Sequence, residues 1–176
     1  VSLTSEQVAA LETADVAALT TIQLRALETA DLQALSVQQV IALTTDQAEA
    51  LTTQQIKALT VGQVEALQTQ DLASLTSAQV VALGTEQIRA LGGAQVTALT
   101  TAQVQVMETA DISQLSATQL IALSSQQVQA LSTAQIVALK TEQVAAIEAL
   151  DLRALSSAQV RALETADIAA LSIEQV

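Results

Sequence analysis

A leucine at every eighth position is the feature of this sequence that most constrains its fold. The leucines run from Leu3 to Leu171, with Met107 and Ile147 standing at two of the positions. Counted from Leu3, residues 1–176 contain 22 octads, the last of which has only six residues. We expect the whole chain to be a single repeat array and a fragment of a longer one. A fixed short period predicts that each unit packs mainly on its neighbours.

Four positions of the octad carry the pattern. Position 1 is the leucine, position 5 is Gln or Asp in all 22 octads, and position 8 is most often Ala. Position 6 is a branched aliphatic residue except at Ala48. Positions 2 and 3 are dominated by Thr, Ser and Glu, whereas positions 4 and 7 vary. The recurring apolar positions are expected to be buried.

A single continuous α-helix does not fit this period. Eight residues at about 100° each turn the helix by roughly 800°, so the apolar stripe shifts by about 80° in every octad. The stripe would circle the helix within about five octads, and a straight soluble helix could not bury it. A period of about 4.0 residues per turn also lies outside the known supercoils.

Each octad carries its own helix start signal. A hydroxyl at position 2 stands three residues before Gln at position 5, as in Thr4 and Gln7 or Ser36 and Gln39. This spacing is a capping box, in which the hydroxyl accepts from a backbone N–H and the Gln side chain reaches back to the cap. The pattern therefore predicts a helix that restarts in every octad.

Octads with Glu at position 2 have Asp instead of Gln at position 5, for example Glu12 and Asp15. Position 3 is usually Thr in these octads, as at Thr13. The sequence suggests that this Thr becomes the N-cap. Asp would then be the second helical residue, where the helix dipole favours an anion.

Helices of about six residues do not persist alone in water, so burial of the aliphatic positions must stabilise them. We predict an all-α, right-handed solenoid of very short helices, one in each octad, around a dry aliphatic core. A β-solenoid is the alternative, because position 6 is β-branched in most octads, although Ala, Leu and Gln disfavour strands.

A longer period, in which residue types recur in every fifth octad, suggests five octads in each superhelical turn. The residues that recur in this way are Asp31, Asp71, Asp111 and Asp151 at position 5 and Ile41, Val81 and Ile121 at position 7. The alternative interpretation is that a five-octad unit was duplicated without geometric meaning, because other aspartates fall outside this register.

The composition excludes most classes of function. The chain has no Cys, His or aromatic residue, and 18 acidic side chains against 6 basic ones. Acid–base catalysis, thiol chemistry and transition-metal sites normally need His or Cys, so we predict a protein that is not an enzyme and holds no cofactor. A net charge of −12 repels phosphate backbones and anionic membranes. Nucleic acid partners and membrane insertion are therefore not expected.

The four aspartates that recur in every fifth octad are the candidates for a metal site. With five octads in a turn, Asp31, Asp71, Asp111 and Asp151 would stack at about 10 Å intervals, the diameter of a helix. Calcium needs about six to eight oxygen ligands, which isolated carboxylates at that spacing do not supply. We therefore expect no metal and interpret these residues as capping groups on a solvated acidic face, with calcium binding as the alternative.

The octads LTTDQAEA, LTTQQIKA and LSTAQIVA resemble the Leu-Thr-Thr-x-Gln-Ile/Val-x-Ala repeats of very long exported bacterial proteins. Those proteins are often labelled haem-utilisation or adhesion exoproteins. The resemblance covers the whole chain and implies a secreted or cell-surface stalk. It does not extend to haem binding, because Met107 is the only residue of a type that ligates haem iron, and it stands at a core leucine position.

The leading hypothesis is a structural stalk or extender segment of a bacterial surface or secreted adhesin-like protein. Stability in a repeat array adds along one dimension, so length can grow by duplication. The alternative is a binding module that uses its acidic face for cations, or its Thr- and Ser-rich face for ice or a protein. Neighbouring repeats, or end-to-end self-association through uncovered aliphatic faces, are the expected partners.

Overall fold

The computed structural model describes residues 3–176, which form 21 short α-helices and no strand. The first 21 octads each contribute one helix, of four to six residues. The prediction of an all-α solenoid is confirmed, and the β-solenoid alternative is wrong. No helix in this part of the chain is long and apolar enough to cross a membrane.

The chain divides into two compact units, with the boundary between Ala90 and Leu91. The helices of the first unit are α1 (Ser5–Ala9), α2 (Thr13–Ala18), α3 (Thr21–Arg25), α4 (Thr29–Gln33), α5 (Val37–Ile41), α6 (Thr45–Ala50), α7 (Thr53–Ala58), α8 (Val61–Ala66), α9 (Thr69–Ser74), α10 (Ser77–Ala82) and α11 (Thr85–Ala90). The helices of the second unit are α12 (Gly93–Ala98), α13 (Thr101–Val106), α14 (Thr109–Ile112), α15 (Ala117–Ile121), α16 (Ser125–Ala130), α17 (Thr133–Ala138), α18 (Thr141–Ala146), α19 (Ala149–Ala154), α20 (Ser157–Ala162) and α21 (Thr165–Ala170).

Each helix begins at position 3 of its octad because the residue before it acts as a cap. In α3, the Gln23 N–H donates to the Thr20 hydroxyl at 3.2 Å, and the Thr20 N–H donates to the Gln23 side-chain oxygen at 2.9 Å. These two bonds satisfy backbone donors that the start of a helix leaves unpaired. The predicted capping box is confirmed.

Each helix ends because the next leucine is extended. Leu59, after α7, has φ −54° and ψ 135°, and the following N-cap, Thr60, has φ −69° and ψ 158°. Two consecutive extended residues turn the chain away from one helix axis and into the next. No residue in the range 3–176 has a positive φ, so these bends need no glycine.

Within each unit, the helices of one turn pack on those of the next, and the contacts join helices that are three places apart in the chain. Examples are α4 with α7, α6 with α9, and α13 with α16. Apart from one bond from Arg153 to the Glu174 carbonyl, hydrogen bonds between successive turns join residues 25 to 31 positions apart. One turn within each unit therefore takes between three and four octads, and the predicted five-octad turn is wrong. The smaller turn is fixed by the position-5 amides, which donate to carbonyls 28 and 31 residues earlier in the chain. The right-handed sense of the superhelix stays a prediction.

The core of both units is aliphatic and is made by positions 1 and 6. Val64 and Leu72 are fully buried in the first unit, and Val104 and Ile136 in the second. Met107 takes a leucine position in this core and is 6 % exposed, so it is a packing residue. Because the chain has no aromatic side chain, the core depends on close packing of aliphatic groups.

Two neighbouring aliphatic residues in α15 test this division between core and surface. Leu120 at position 6 is 1 % exposed, whereas Ile121 at position 7 is 48 % exposed. Leu120→Ala should lower the free energy of unfolding by about 2–5 kcal/mol, because it removes buried methyl groups and leaves a cavity. Ile121→Ala is the matched control and should cost less than about 1 kcal/mol. Urea denaturation measures both values, and equal losses would contradict the assignment of position 7 to the surface.

Candidate functional site

Buried glutamines at position 5 are the most distinctive polar groups of the structure. Gln63 in α8 is 3 % exposed, and both ends of its amide are used. Its oxygen accepts from the Thr60 N–H at 2.9 Å, which completes the capping box of its own helix. Its Nε2 donates to the carbonyls of Leu32 and Leu35 on the preceding turn, both at 2.9 Å. One side chain thus caps its own helix and joins two successive turns.

The same pair of acceptors recurs in both units. The carbonyls lie 31 and 28 residues before the glutamine, at position 6 of one octad and position 1 of the next. The glutamines that donate to both carbonyls are Gln39, Gln47, Gln55, Gln63, Gln79 and Gln87 in the first unit and Gln127, Gln135, Gln143 and Gln159 in the second. We call this set the glutamine ladder.

The ladder supplies hydrogen-bond donors to carbonyls that very short helices leave unpaired at their ends. The last carbonyls of an α-helix have no partner within the helix, and here a helix ends in almost every octad. The carbonyl of Leu35, just beyond the end of α4, receives the Gln63 amide. Leaving a buried carbonyl unpaired costs about 1–3 kcal/mol. The ladder therefore stabilises each helix end with a side chain from the next turn.

Aspartate at position 5 keeps the cap in α2, α4 and α21, but its carboxylate cannot donate. In α4, Asp31 Oδ2 accepts from the Glu28 N–H at 3.3 Å. Its Oδ1 accepts from the hydroxyl of Ser5, 26 residues earlier, at 2.6 Å. The same contact joins Ser125 to Asp151 in the second unit. An ionised carboxylate has only acceptor oxygens, so a hydroxyl donor replaces the carbonyls as its partner.

The predicted change of N-cap in the octads with Glu and Asp is wrong. Glu12 is the N-cap of α2, and Thr13 is already the first helical residue. Asp15 Oδ2 accepts from the Glu12 N–H at 3.1 Å, so capping stays at position 2. A position-3 hydroxyl such as that of Ser5 instead binds an aspartate 26 residues later. A comparison of residues 26 positions apart, rather than within one octad, could have found this bond.

Asp71 in α9 is the buried aspartate with an unpaired oxygen. It is 2 % exposed, and its Oδ1 accepts from the Thr45 hydroxyl at 3.1 Å. Its Oδ2 is buried without a hydrogen bond. Burial raises the pKa of Asp71 above the usual 3.8, and the smaller opposing effects come from the Thr45 hydroxyl and from the nearby Gln68 backbone N–H.

Within each unit, the two aspartates singled out from the sequence do not lie one turn apart. Asp31 and Asp71 lie in the first unit and Asp111 and Asp151 in the second, and each is 2–6 % exposed. Their spacing of five octads exceeds the 25 to 31 residues between bonded positions on successive turns. They are buried groups, which corrects the expectation of a solvated acidic face. Within residues 3–176, no three His, Cys, Asp or Glu side chains lie close enough to hold a metal ion.

The second unit has a shallow surface groove between helices. Its lining residues are Thr101, Gln126, Gln129 and Ala130. All four are neutral, and Gln129 already donates to the carbonyl of Ala154 at 3.2 Å. The groove therefore offers a ligand no charged group, and the ladder remains the site on which the structure depends.

The fold and the ladder define a class of protein, a solenoid of one-and-a-half-turn helices whose successive turns are joined by glutamine side chains. The sequence matches the ALTTAQ repeat at residues 24–61, 64–101, 104–141 and 144–176. The chain belongs to the ALTTAQ repeat family, and the predicted tandem array is confirmed. No curated protein matches the sequence.

The family repeat accounts for the longer period of the sequence. Its successive matches begin at residues 24, 64, 104 and 144, so each step spans five octads. A turn of the solenoid takes fewer than four octads. The five-octad period therefore records duplication of a unit and not the geometry of the turn, as the alternative interpretation held.

Adjacent glutamines in α7 test the ladder. Gln55 is 2 % exposed and donates to the carbonyls of Leu24 and Leu27 at 2.9 and 3.0 Å, whereas Gln54 is exposed. Gln55→Glu removes the donor and sets a carboxylate against two carbonyls. We expect the free energy of unfolding to fall by roughly 2–4 kcal/mol at neutral pH. Part of this loss should be recovered near the ordinary pKa of Glu, because the protonated acid can donate.

Gln54→Glu is the matched control, since it adds the same charge at the surface of the same helix. It should change the free energy of unfolding by less than about 0.5 kcal/mol. Urea denaturation at neutral and acidic pH measures both variants. Equal losses in the two variants, or a Gln55→Glu loss that does not depend on pH, would show that position 5 does not join the turns.

Proposed function

We propose that the chain is a structural extender, a stalk segment whose length is set by its number of octads. The single observation that carries this proposal is the glutamine ladder. Its side chains bind backbone carbonyls of the preceding turn in both units, as Gln63 and Gln127 do. The buried polar groups are therefore used to hold the array together. A ladder of this kind supports an array that can be lengthened without a new core.

The repetition of the same contacts supports this proposal. The family repeat is matched four times along the chain. Each helix contacts the third helix before or after it in its unit, so one more block would add contacts of the kind already present. In such arrays stability approximates a sum over repeats and their interfaces. Growth by duplication then changes length while the local packing stays the same.

We also propose that the protein is not an enzyme. The buried titratable groups among residues 3–176 are aspartates, and Asp31, Asp71 and Asp151 each bind a hydroxyl on another turn. They are distributed along the array, whereas a paired acid and base must flank one substrate bond. The chain also has no His or Cys. These aspartates join turns, and Asp31 also caps its own helix.

We place this segment, as a proposal, in a secreted or cell-surface adhesin-like bacterial protein. The support is the resemblance of its octads to those of long exported bacterial proteins. In such a protein the array would hold an adhesive domain away from its anchor. This role needs length and stability along one direction, which a repeat array provides.

Exposed aliphatic side chains in α20 and α21 support association of isolated chains end to end. Val160 and Ile168 at position 6 are 44 % and 45 % exposed, whereas the position-6 residues from Val8 to Leu152 are at most 7 % exposed. Covering these side chains with another copy would remove apolar surface from water. We propose that neighbouring repeats, or another copy of the array that associates end to end, cover this face.

A longer array tests the proposal that the number of octads sets the length of the chain. Duplication of residues 24–63 inserts five octads, the full step of the family repeat, and keeps the octad register. Packed helices lie about 8–10 Å apart. We therefore expect the maximum dimension from small-angle X-ray scattering to grow by about 10–15 Å, with no loss of helical circular dichroism per residue.

The matched control duplicates residues 24–67, which adds four further residues and breaks the octad register. Its glutamines after the junction no longer face the carbonyls of the preceding turn, so this variant should melt at a lower temperature. An unchanged maximum dimension in the register-keeping variant would contradict the proposal. So would a control that is as stable as that variant.

A further inference from the structure

The register of the ladder identifies the groups that Asp71 faces. Glutamine at position 5 donates to the carbonyls 31 and 28 residues earlier, which for Asp71 are those of Val40 and Leu43. The Val40 carbonyl accepts from the Leu43 N–H at 3.1 Å, but within residues 3–176 neither carbonyl receives a side-chain donor. Besides the Thr45 hydroxyl that donates to its Oδ1, the Asp71 carboxylate therefore has two acceptor groups in its register where a ladder glutamine would donate.

No cation compensates Asp71 from the helices around it in its unit. Helix α6, which packs against α9, carries Asp46 and Glu49, and α5 carries no titratable residue. Helix α9 has no second titratable residue. Gln68 provides the N–H that faces the carboxylate, and its side-chain amide donates to the Ile41 carbonyl at 2.7 Å. The buried charge thus has one hydroxyl bond and two acidic side chains on the adjoining helix.

We propose that protonation of Asp71 strengthens the contact between α9 and the turn that contains α5 and α6. The ionised carboxylate places a buried charge near carbonyl oxygens. Uptake of one proton from solvent removes that charge and converts one carboxylate oxygen into an O–H donor, the role that Nε2 has in the glutamines. The Val40 and Leu43 carbonyls are the acceptors that the register provides. The contact between α9 and the preceding turn therefore becomes stronger as the pH falls.

Asp31 shows the opposite case, an aspartate with partners on both oxygens. Ser5 donates its hydroxyl to one oxygen at 2.6 Å, and Glu28 donates its N–H to the other at 3.3 Å. A proton on this carboxylate would weaken both bonds. The two aspartates hold the same position in the octad, so they form a matched pair that differs in hydrogen bonding.

The direction of the pH dependence follows from the pKa of Asp71, which burial raises above 3.8. The folded chain binds the proton more firmly than the unfolded chain does. The stability linked to Asp71 is therefore fully present below 3.8 and is lost as the pH rises through the pKa of the folded state. At a pH above the pKa of the folded state, Asp71 is ionised and its contact with the preceding turn is weaker.

Asp71→Asn tests the proposal, because asparagine is neutral at every pH and supplies a donor in the same place. We expect the full chain with this substitution to melt about 2–4 °C higher than the wild type at neutral pH. The difference should disappear as the pH approaches 3.8. Asp31→Asn is the matched control and should give no gain at neutral pH. The other carboxylates titrate in both the variant and the wild type, so their effect cancels in the difference between the two melting temperatures at each pH.

A carbon-13 titration of the Asp71 carboxyl provides a second readout on the unmodified protein. Its midpoint should lie above 3.8. A midpoint at or below that value, or an Asp71→Asn variant no more stable than the wild type at neutral pH, would overturn the proposal. Addition of millimolar calcium distinguishes the binding of a proton at Asp71 from the binding of a metal ion. We expect calcium to leave the midpoint of the Asp71 titration unchanged. A midpoint that calcium lowers would indicate a cation site at Asp71 instead and would overturn the proposal.

Discussion

The structure depends on how hydrogen bonds are satisfied in helices of only about six residues. Such helices leave most of their first N–H groups and last carbonyls without partners. Thr60 and Gln63 pair the start of α8, and the same Gln63 side chain pairs the carbonyls of Leu32 and Leu35 on the preceding turn. Because donor and acceptors lie on different turns, the helices are satisfied only when the turns stack in register. Local helix formation and superhelical packing are therefore one event.

This coupling explains which substitutions the octads accept. Gly92 has no hydroxyl to cap α12, yet its N–H still donates to the Gln95 oxygen at 2.9 Å. Lys140 stands at the same position, and its N–H donates to the Gln143 oxygen at 2.7 Å. The side chain at position 2 can vary where the position-5 glutamine is present. The glutamine is the residue through which one octad reaches another, and it is correspondingly buried.

Most features within one octad could be predicted from the sequence, the N-cap of the octads with Glu and Asp excepted, and features that join turns could not. The capping box of Thr20 and Gln23 and the burial of the aliphatic positions follow from residue spacing over eight positions. The number of octads in a turn depends on the second bond of the glutamine, whose partner lies 28 or 31 residues away. The step of five octads from Asp31 to Asp71 came from duplication, so it indicated too large a turn. The bond from Ser5 to Asp31 was missed because its partners are 26 residues apart.

Hydrogen exchange of glutamine side-chain amides tests most directly whether position 5 joins successive turns. The Nε2 protons of ladder residues such as Gln63 and Gln127 donate to buried carbonyls, whereas Gln54 and Gln126 are exposed. We expect nuclear magnetic resonance to show the ladder protons exchanging at least about 100-fold more slowly than the exposed ones, because their exchange requires separation of the turns. Equal exchange rates in the two groups would contradict the ladder and the account of the fold that depends on it.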